Sequence, residues 1–167
     1  MQIAIFDAAV TLPLRMLHNL DAIIDKAVAD IAAGKLEEEA VLRAKLAPDM
    51  FDFTRQVQLA TDFAKSPAAR LAGVEVPKFP DEETTLAALK TRIAAIAEFV
   101  RGFKPEQFDG AAERRIVIPL RDRTLDLVGS EYLLGFAQPN FYFHYTTAYA
   151  ILRHLGVEIG KRDYMGA

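Results

Sequence analysis

The amino-acid sequence predicts an all-α protein, an up-and-down four-helix bundle with a small β-hairpin before the last helix. Three observations favour this fold. Four long segments have helical periodicity, each ends at or near a glycine, and a short stretch between the third and fourth has alternating apolar residues. Helices of about 20 residues would be about 30 Å long, which suits one antiparallel bundle. The length fits a single domain, which we expect to span residues 1–167.

The composition excludes several classes of protein. Hydrophobic residues make up 51% of the chain, which excludes a mainly disordered protein. The net charge is -3, and no run of lysine or arginine is long enough to form a nucleic-acid-binding stripe. The absence of cysteine rules out a disulfide scaffold, thiolate zinc ligands and a cysteine nucleophile.

Membrane insertion and secretion are not expected either. No apolar run approaches the roughly 18 residues of a membrane span. The N-terminal residues contain an acid and lack the basic start of a secretory signal. We therefore expect a cytoplasmic protein of bacterial type that binds neither nucleic acid nor membranes.

The first predicted helix covers residues 12–34. Its apolar residues recur every three or four positions, and Gly34 is a typical residue after a helix C-terminus. Pro13 either occupies the first turn or kinks a helix that begins near Ile5. The apolar residues before the proline continue the same helix face, so they favour the kink.

The other three helices have clear end signals. They cover residues 47–73, 81–102 and 139–156. Asp49 and Asp81 are the predicted N-caps of the second and third helices. Pro67 would break or bend the second helix, while Gly73 and Gly156 end the second and fourth in left-handed geometry.

A small hairpin is predicted between the third and fourth helices. Ile116 and Ile118 alternate with their neighbours, and so do Leu125 and Leu127. This period of two predicts two short strands, joined by a turn at residues 120–123.

The three histidines are the first candidates for metal ligands. His144 and His154 lie ten positions apart on one predicted helix, about 15 Å along its axis and about 80° around it. They cannot share an ion, so a three-histidine site within one chain is excluded. His18 shares a helix flank with Asp21 and Asp25 and is expected to be partly exposed, while His154 suits a helix C-terminus.

His144 is the strongest candidate for a functional side chain. Asn140 lies one turn before it, and Gln58 and Asp62 have the same spacing on the second helix. If these helices pack side by side, the four groups could converge on a polar pocket that holds a small ligand or a divalent metal such as zinc or nickel. The alternative is a core histidine with a partner on the second helix. Its pKa would rise if Asp62 dominates and fall if burial dominates.

Aromatic residues are concentrated at the start of the fourth helix. They are Phe141, Tyr142, Phe143, Tyr145 and Tyr149. Such rows are usually part of the core. The alternative is an aromatic-walled ligand pocket above His144, in which tyrosine hydroxyls such as that of Tyr145 provide polar contacts.

Three stretches are specific enough to indicate a family. They are RMLHNLDAIIDKA, LAPDMFDFTRQVQLATDFAK and PNFYFHYTTAYAILRHLGVEIGKRDYMG. They resemble an uncharacterised bacterial family, a domain of unknown function, within the DinB/YfiT-like superfamily. The resemblance implies an up-and-down four-helix bundle that is often dimeric, so we expect a homodimer.

The resemblance also implies a metal site. Members typically hold a divalent metal with one histidine from the second helix and an HxxxH pair from the fourth, and some are thiol-dependent transferases. His144 matches the second histidine of that pair, and Asn140 stands where the first would be. The second helix has no histidine, and Asp62 or Gln58 is the nearest polar substitute.

Three functions follow as hypotheses. The first is a bundle with a degenerate metal site that serves as a small-ligand pocket, formed by His144, Asn140, Asp62, Gln58 and Tyr145. The second is a divalent-metal-dependent hydrolase or thiol transferase, with His144, Asn140 and Asp62 as metal ligands. The third is a purely structural dimer.

Overall fold

The computed structural model describes residues 4–166 as a helical bundle with a two-stranded hairpin, which confirms the predicted fold class. In chain order the elements are α1 (Leu12–Ala32), α2 (Glu38–Arg43), α3 (Phe53–Ala72), α4 (Leu86–Arg101), β1 (Arg115–Pro119), β2 (Thr124–Val128), α5 (Gly129–Glu131), α6 (Gln138–His154) and α7 (Lys161–Met165). The four long helices α1, α3, α4 and α6 form the bundle. No helix in the described range is long and apolar enough to cross a lipid bilayer.

Helix α3 lies at the centre of the packing, between α6 and α4, and α1 closes the bundle against α4. Ala60, Ala64 and Ala68 recur at every fourth position of α3, and all three are fully buried. Small side chains at this spacing form a narrow stripe, which lets neighbouring helices approach closely. The position of α3 decides which of its side chains can meet α6, and this determines the candidate site.

The N-terminal helix begins near Ile5, as predicted, and continues through Pro13. The distortion expected at the proline is a π-helical segment, Asp7–Thr11. In a π-helix the N–H of residue 13 would bond to the carbonyl of Ala8, five residues earlier. Proline has no N–H, so this carbonyl needs another donor. The Nε2 atom of Gln138 donates to this carbonyl at 3.3 Å. A second π-helical segment, Tyr132–Ala137, leads directly into α6.

Two predicted N-caps are wrong. Asp52, not Asp49, caps α3, because its Oδ1 accepts a 2.9 Å hydrogen bond from the backbone N–H of Arg55. Thr85, not Asp81, caps α4. The carboxylate of Asp81 pairs instead with the guanidinium of Arg55, so it is not available to the helix end.

The predicted helix C-termini are confirmed. Gly73 and Gly156 have φ values of +74° and +93°, and they end α3 and α6 in left-handed geometry. After Gly156, the buried Val157 folds back and its N–H donates to the carbonyl of Leu152 at 3.1 Å. Pro67 lies inside α3 and does not break it.

The predicted hairpin is also confirmed. Ile116 lies opposite Leu127 and Ile118 opposite Leu125. Both isoleucines are buried, so this face of the hairpin packs against the bundle. At the end of the hairpin, Gly129 lies so close to residue 111 that an added Cβ would overlap the carbonyl oxygen of that residue.

Candidate functional site

His144 is buried on α6 and hydrogen-bonds to a side chain of α3. Its Nδ1 atom lies 2.8 Å from Oε1 of Gln56, which is buried as well. The other end of the amide, Nε2 of Gln56, donates to the carbonyl of Phe51 at 3.3 Å. The amide oxygen therefore faces the imidazole as an acceptor, and Nδ1 of His144 carries the proton. A partner from the second long helix was predicted and is confirmed, but it is Gln56 rather than Asp62.

The face of α3 that meets His144 carries Gln56 and Phe63. These residues are seven positions apart, so they lie within about 20° of each other around the helix. The ring of Phe63 stacks on the imidazole, with centroids 5.9 Å apart and planes at 17°. Phe143 contacts the imidazole edge-on, at a centroid distance of 5.2 Å.

Gln58 and Asp62 lie on a different face of α3, so the predicted convergence with His144 is wrong. At 100° per residue they are about 160° and 120° away from Gln56 around the helix axis. Both side chains face α4 and its preceding loop. Asp62 Oδ1 lies 3.0 Å from Nη2 of Arg92, and Nε2 of Gln58 donates to Glu83 at 2.8 Å.

Asn140 and Tyr145 have partners of their own. The Nδ2 atom of Asn140 donates to the carbonyl of Phe136, one turn earlier, at 2.7 Å. Tyr145 is fully buried, and its hydroxyl donates to the carbonyl of Tyr164 in α7 at 3.2 Å. Burial raises the pKa of the Tyr145 phenol. Neither side chain hydrogen-bonds to His144 in the described range, so Tyr145 is a core residue rather than a polar contact in a pocket at this histidine.

The other two histidines are far less buried. His18 is exposed, in line with its predicted exposure, and its acidic neighbours Asp21 and Asp25 pair with Nζ of Lys90 at 3.0 and 2.6 Å. His154 is exposed in the last turn of α6, the position predicted for it.

Burial and charge determine the protonation of His144. Burial, followed by the positive charge of Arg55, lowers the pKa of the imidazole to about 4. The alternative expectation was that Asp62 raises the pKa of His144. This expectation is wrong, because Asp62 faces Arg92 instead of the imidazole. His144 is therefore neutral at neutral pH, with its second nitrogen, Nε2, as a hydrogen-bond acceptor.

The side chains present do not fit the divalent metal that the resemblance implies. His144 supplies one imidazole, the amide of Asn140 is bonded within its own helix, and Asp62 is paired with Arg92. Within residues 4–166, no group of three or more His, Cys, Asp or Glu side chains is placed so that it could hold a metal ion. We therefore derive no metal chemistry for this site.

Four aromatic residues adjoin the pair of His144 and Gln56, directly or through a neighbour. We call these four the aromatic patch: Phe51, Phe63, Phe136 and Phe143. The side chains of Phe51 and Phe143 are each 56% exposed. Phe63 and Phe136 are half-buried and meet edge-on, with centroids 5.8 Å apart. Other aromatic residues of the same helix start, such as Phe141, belong to the core.

A narrow crevice lies next to this patch, with Phe63 in its wall. Its other walls include Ala8 and Ala9 of the first π-helical segment and Leu133 and Ala137 of the second. Its volume is about 10 Å³, which is room for about one water molecule. The crevice is therefore too small for an organic ligand, and the exposed side of the patch is the accessible surface.

A second polar cluster, which the sequence analysis missed, joins α3 to α4. Its centre is Arg92, whose side chain is 1% exposed. The guanidinium donates to Thr61 Oγ1 at 2.8 Å and to the carbonyl of Pro80 at 3.0 Å. Its carboxylate partners, at 3.0 to 3.1 Å, are Asp62, Asp81 and Glu83. The cluster fixes the segment before α4 to the bundle.

Similar proteins agree with this fold. The family described as "Domain of unknown function (DUF1993)" matches residues 5–165. A crystal structure of a DinB family member protein from Shewanella denitrificans is 45% identical in sequence and has a TM-score of 0.92. The match covers 98% of this chain and 92% of that chain.

A search of curated proteins found no significant match to this chain. The family match spans nearly all of the described residues, and the structural match has the same bundle at high sequence identity. The chain is therefore a DinB-like helical-bundle protein that belongs to the DUF1993 family of domains of unknown function.

Proposed function

We propose that this protein is a ligand-binding bundle that acts without a metal, and that the aromatic patch binds a small apolar or amphipathic molecule. One observation carries the proposal. Two phenyl rings, those of Phe51 and Phe143, are each 56% exposed next to the buried pair of His144 and Gln56. Ligand sites commonly combine apolar walls with a few polar groups in this way.

The polar group available to a ligand is Nε2 of His144. Only Nδ1 of this imidazole hydrogen-bonds within the described part of the chain. Every fully buried side-chain polar atom among residues 4–166 has a partner, so Nε2 must reach the surface. A ligand that lies on Phe143 can therefore donate a hydrogen bond to this nitrogen, while its apolar part covers the exposed rings.

Binding of the neutral fluorescent probe anilinonaphthalene tests the proposal. We expect its fluorescence to rise on binding to the protein. Replacing both Phe51 and Phe143 by Ala should weaken binding about tenfold or more, since burial of an aromatic side chain contributes roughly 1.5–3 kcal/mol. Val117→Ala is the matched control, because Val117 is 52% exposed but lies on the hairpin.

Two outcomes would overturn the proposal. One is no binding of the neutral probe to the wild-type protein. The other is equal affinity in the double variant and the wild type, which would place the probe elsewhere. A melting curve of each variant shows that the comparison is made between folded proteins.

We also propose that the protein is a homodimer. The resemblance to a family that is often dimeric supports this, as does the exposed Leu134, an apolar side chain on the surface beside α6. Light scattering at micromolar concentration should give twice the chain mass of 18.5 kDa. A species of single chain mass at every concentration would contradict the dimer.

A further inference from the structure

We infer that the ligand of the aromatic patch is an amphipathic anion whose carboxylate, sulfonate or phosphate group binds the guanidinium of Arg55. This inference rests on the proposed function, because it specifies the chemical class of the ligand that the patch binds.

The guanidinium of Arg55 has donor atoms without a hydrogen-bond partner in the described part of the chain. Its Nη1 atom makes both of its side-chain hydrogen bonds, to Gln58 Oε1 at 3.2 Å and to a carboxylate oxygen of Asp81. Its Nε and Nη2 atoms have no hydrogen-bond partner among residues 4–166. The Nε and Nη2 edge of a guanidinium is the fork that binds a carboxylate or a phosphate with two parallel hydrogen bonds. The side chain is 37% exposed, and every fully buried side-chain polar atom in the described range has a partner, so Nε and Nη2 are in contact with solvent.

Arg55 also lies at the aromatic patch. Its Cζ atom is 5.9 Å from the ring centroid of Phe51. The backbone carbonyl of Phe51 accepts a hydrogen bond from Gln56, which in turn bonds to His144, so a continuous chain of hydrogen bonds links Phe51 to the buried imidazole. The charge of Arg55 reaches the imidazole, since it is one of the two causes of the lowered pKa of His144. An anion on Arg55 can therefore place an apolar body on the patch.

The acidic neighbours of Arg55 do not prevent this binding. Asp81 has a second cation, because its Oδ1 lies 3.1 Å from Nη2 of the buried Arg92. An anion that draws Arg55 away from Asp81 therefore leaves the carboxylate still paired. Asp52 is occupied as the helix cap, where its Oδ1 accepts the backbone N–H of Arg55.

A matched pair of probes tests the charge of the ligand. Anilinonaphthalenesulfonate has the aromatic skeleton of neutral anilinonaphthalene with an added sulfonate. We expect the anion to bind about tenfold more tightly than the neutral probe, which is the difference that a charge-assisted hydrogen bond of moderate strength supplies. In Arg55→Gln this preference should vanish, while the affinity for the neutral probe stays within about twofold of the wild type.

Three further variants complete the experiment. Arg115→Gln, which removes an exposed arginine of the hairpin, should keep the full preference for the anion. Asp81→Asn removes the competing carboxylate and should strengthen binding of the anion only. Arg55→Lys keeps the charge but not the two-pronged donor edge of the guanidinium, so it should keep only part of the preference for the anion. If Arg55→Gln does not fold, Arg55→Lys and Asp81→Asn together test the role of Arg55.

The outcomes separate the two proposals. If the neutral probe binds and the anion binds no more tightly, the inference about Arg55 is overturned and the ligand-binding function stands. The inference about Arg55 is also overturned if Arg55→Gln leaves the preference for the anion unchanged. If Arg55→Gln does not fold, an unchanged preference in both Arg55→Lys and Asp81→Asn has the same meaning. If neither probe depends on Phe51 and Phe143, the proposed function itself fails.

Discussion

Nδ1 of His144 lies 2.8 Å from Oε1 of Gln56, and this hydrogen bond joins α6 to α3 through two buried side chains. The bond suits a neutral imidazole, which donates from Nδ1 to an amide oxygen. It offers no negative charge to an imidazolium. The pair therefore makes the stability of the bundle sensitive to pH.

We expect the free energy of unfolding to fall as the pH drops from about 7 towards 4. The folded pKa of His144 is about 4 and the unfolded pKa is about 6.5, so the unfolded chain binds more protons in this window. The part of the free energy of unfolding that depends on neutral His144 is fully present above the unfolded pKa. It is lost as the pH falls to the folded pKa, and it amounts to roughly 3 kcal/mol in total.

Urea denaturation of the wild type and of His144→Gln at pH 7, above that window, and at pH 4.5, near its lower end, measures the effect. Carboxylates that titrate in this range act on both proteins, so the difference between the two pH dependences belongs to His144. An identical pH dependence in both proteins would contradict the prediction.

Metal removal should have no effect on stability. A chelator should leave the melting temperature unchanged, because an ion that does not bind the native state cannot stabilise it. His144→Ala should lower the free energy of unfolding by roughly 1 to 3 kcal/mol, through lost packing against Phe63 and the lost partner of Gln56. If the purified protein holds one equivalent of zinc or nickel and loses it together with stability in His144→Ala, the metal-dependent hydrolase or transferase is the better hypothesis.

Arg92→Ala should be strongly destabilising. It would leave the largely buried Glu83 without the cation that pairs it, while Asp62 and Asp81 would keep only Lys65 and Arg55. Breaking a buried ion pair costs roughly 3–5 kcal/mol. The control is Arg115→Ala, whose pair with Asp126 is exposed and should change the melting temperature little. Comparable melting temperatures for both variants would show that the Arg92 cluster is not a structural centre.

Gly129→Ala should also destabilise the bundle, by roughly 1–3 kcal/mol, since the added methyl group would overlap the carbonyl oxygen of Ala111. Backbone cannot move aside as a flexible side chain can. Gly135→Ala is the control, because a Cβ at that helical position meets no atom within 4 Å and alanine favours a helix. Calorimetry of the two variants should show opposite shifts in melting temperature.

Local patterns in the sequence were sufficient to predict the bundle. Apolar residues at helical spacing, the glycines at helix ends and the period of two around Ile116 and Leu125 each reflect contacts with near neighbours or with one buried face. The N-caps failed at Asp49 and Asp81 because several residues that can cap a helix precede each one, and only the folded chain shows which of them accepts an N–H: Asp52 for α3 and Thr85 for α4. The π-helical segments depend on the surrounding packing, so periodicity alone did not indicate them.

The candidate site was harder to predict, because it depends on how α3 is rotated relative to α6. The spacing of Gln58 and Asp62 matched that of Asn140 and His144, but spacing does not fix which face of a helix meets its neighbour. One signal was present. Gln56 lies in the apolar stripe with Ala60 and Phe63, and a polar residue in such a stripe needs a buried partner.

The π-helical segment Asp7–Thr11 sets the rotation of the turn that precedes it. Loss of one residue from this segment would return the chain to α-helical geometry and turn everything before it by about 100° around the axis. Phe6, whose ring centroid lies 5.4 Å from that of Phe108, would then point away from this partner. A one-residue change of length in this segment would therefore cost an aromatic contact between the start of the first helix and the segment that follows α4.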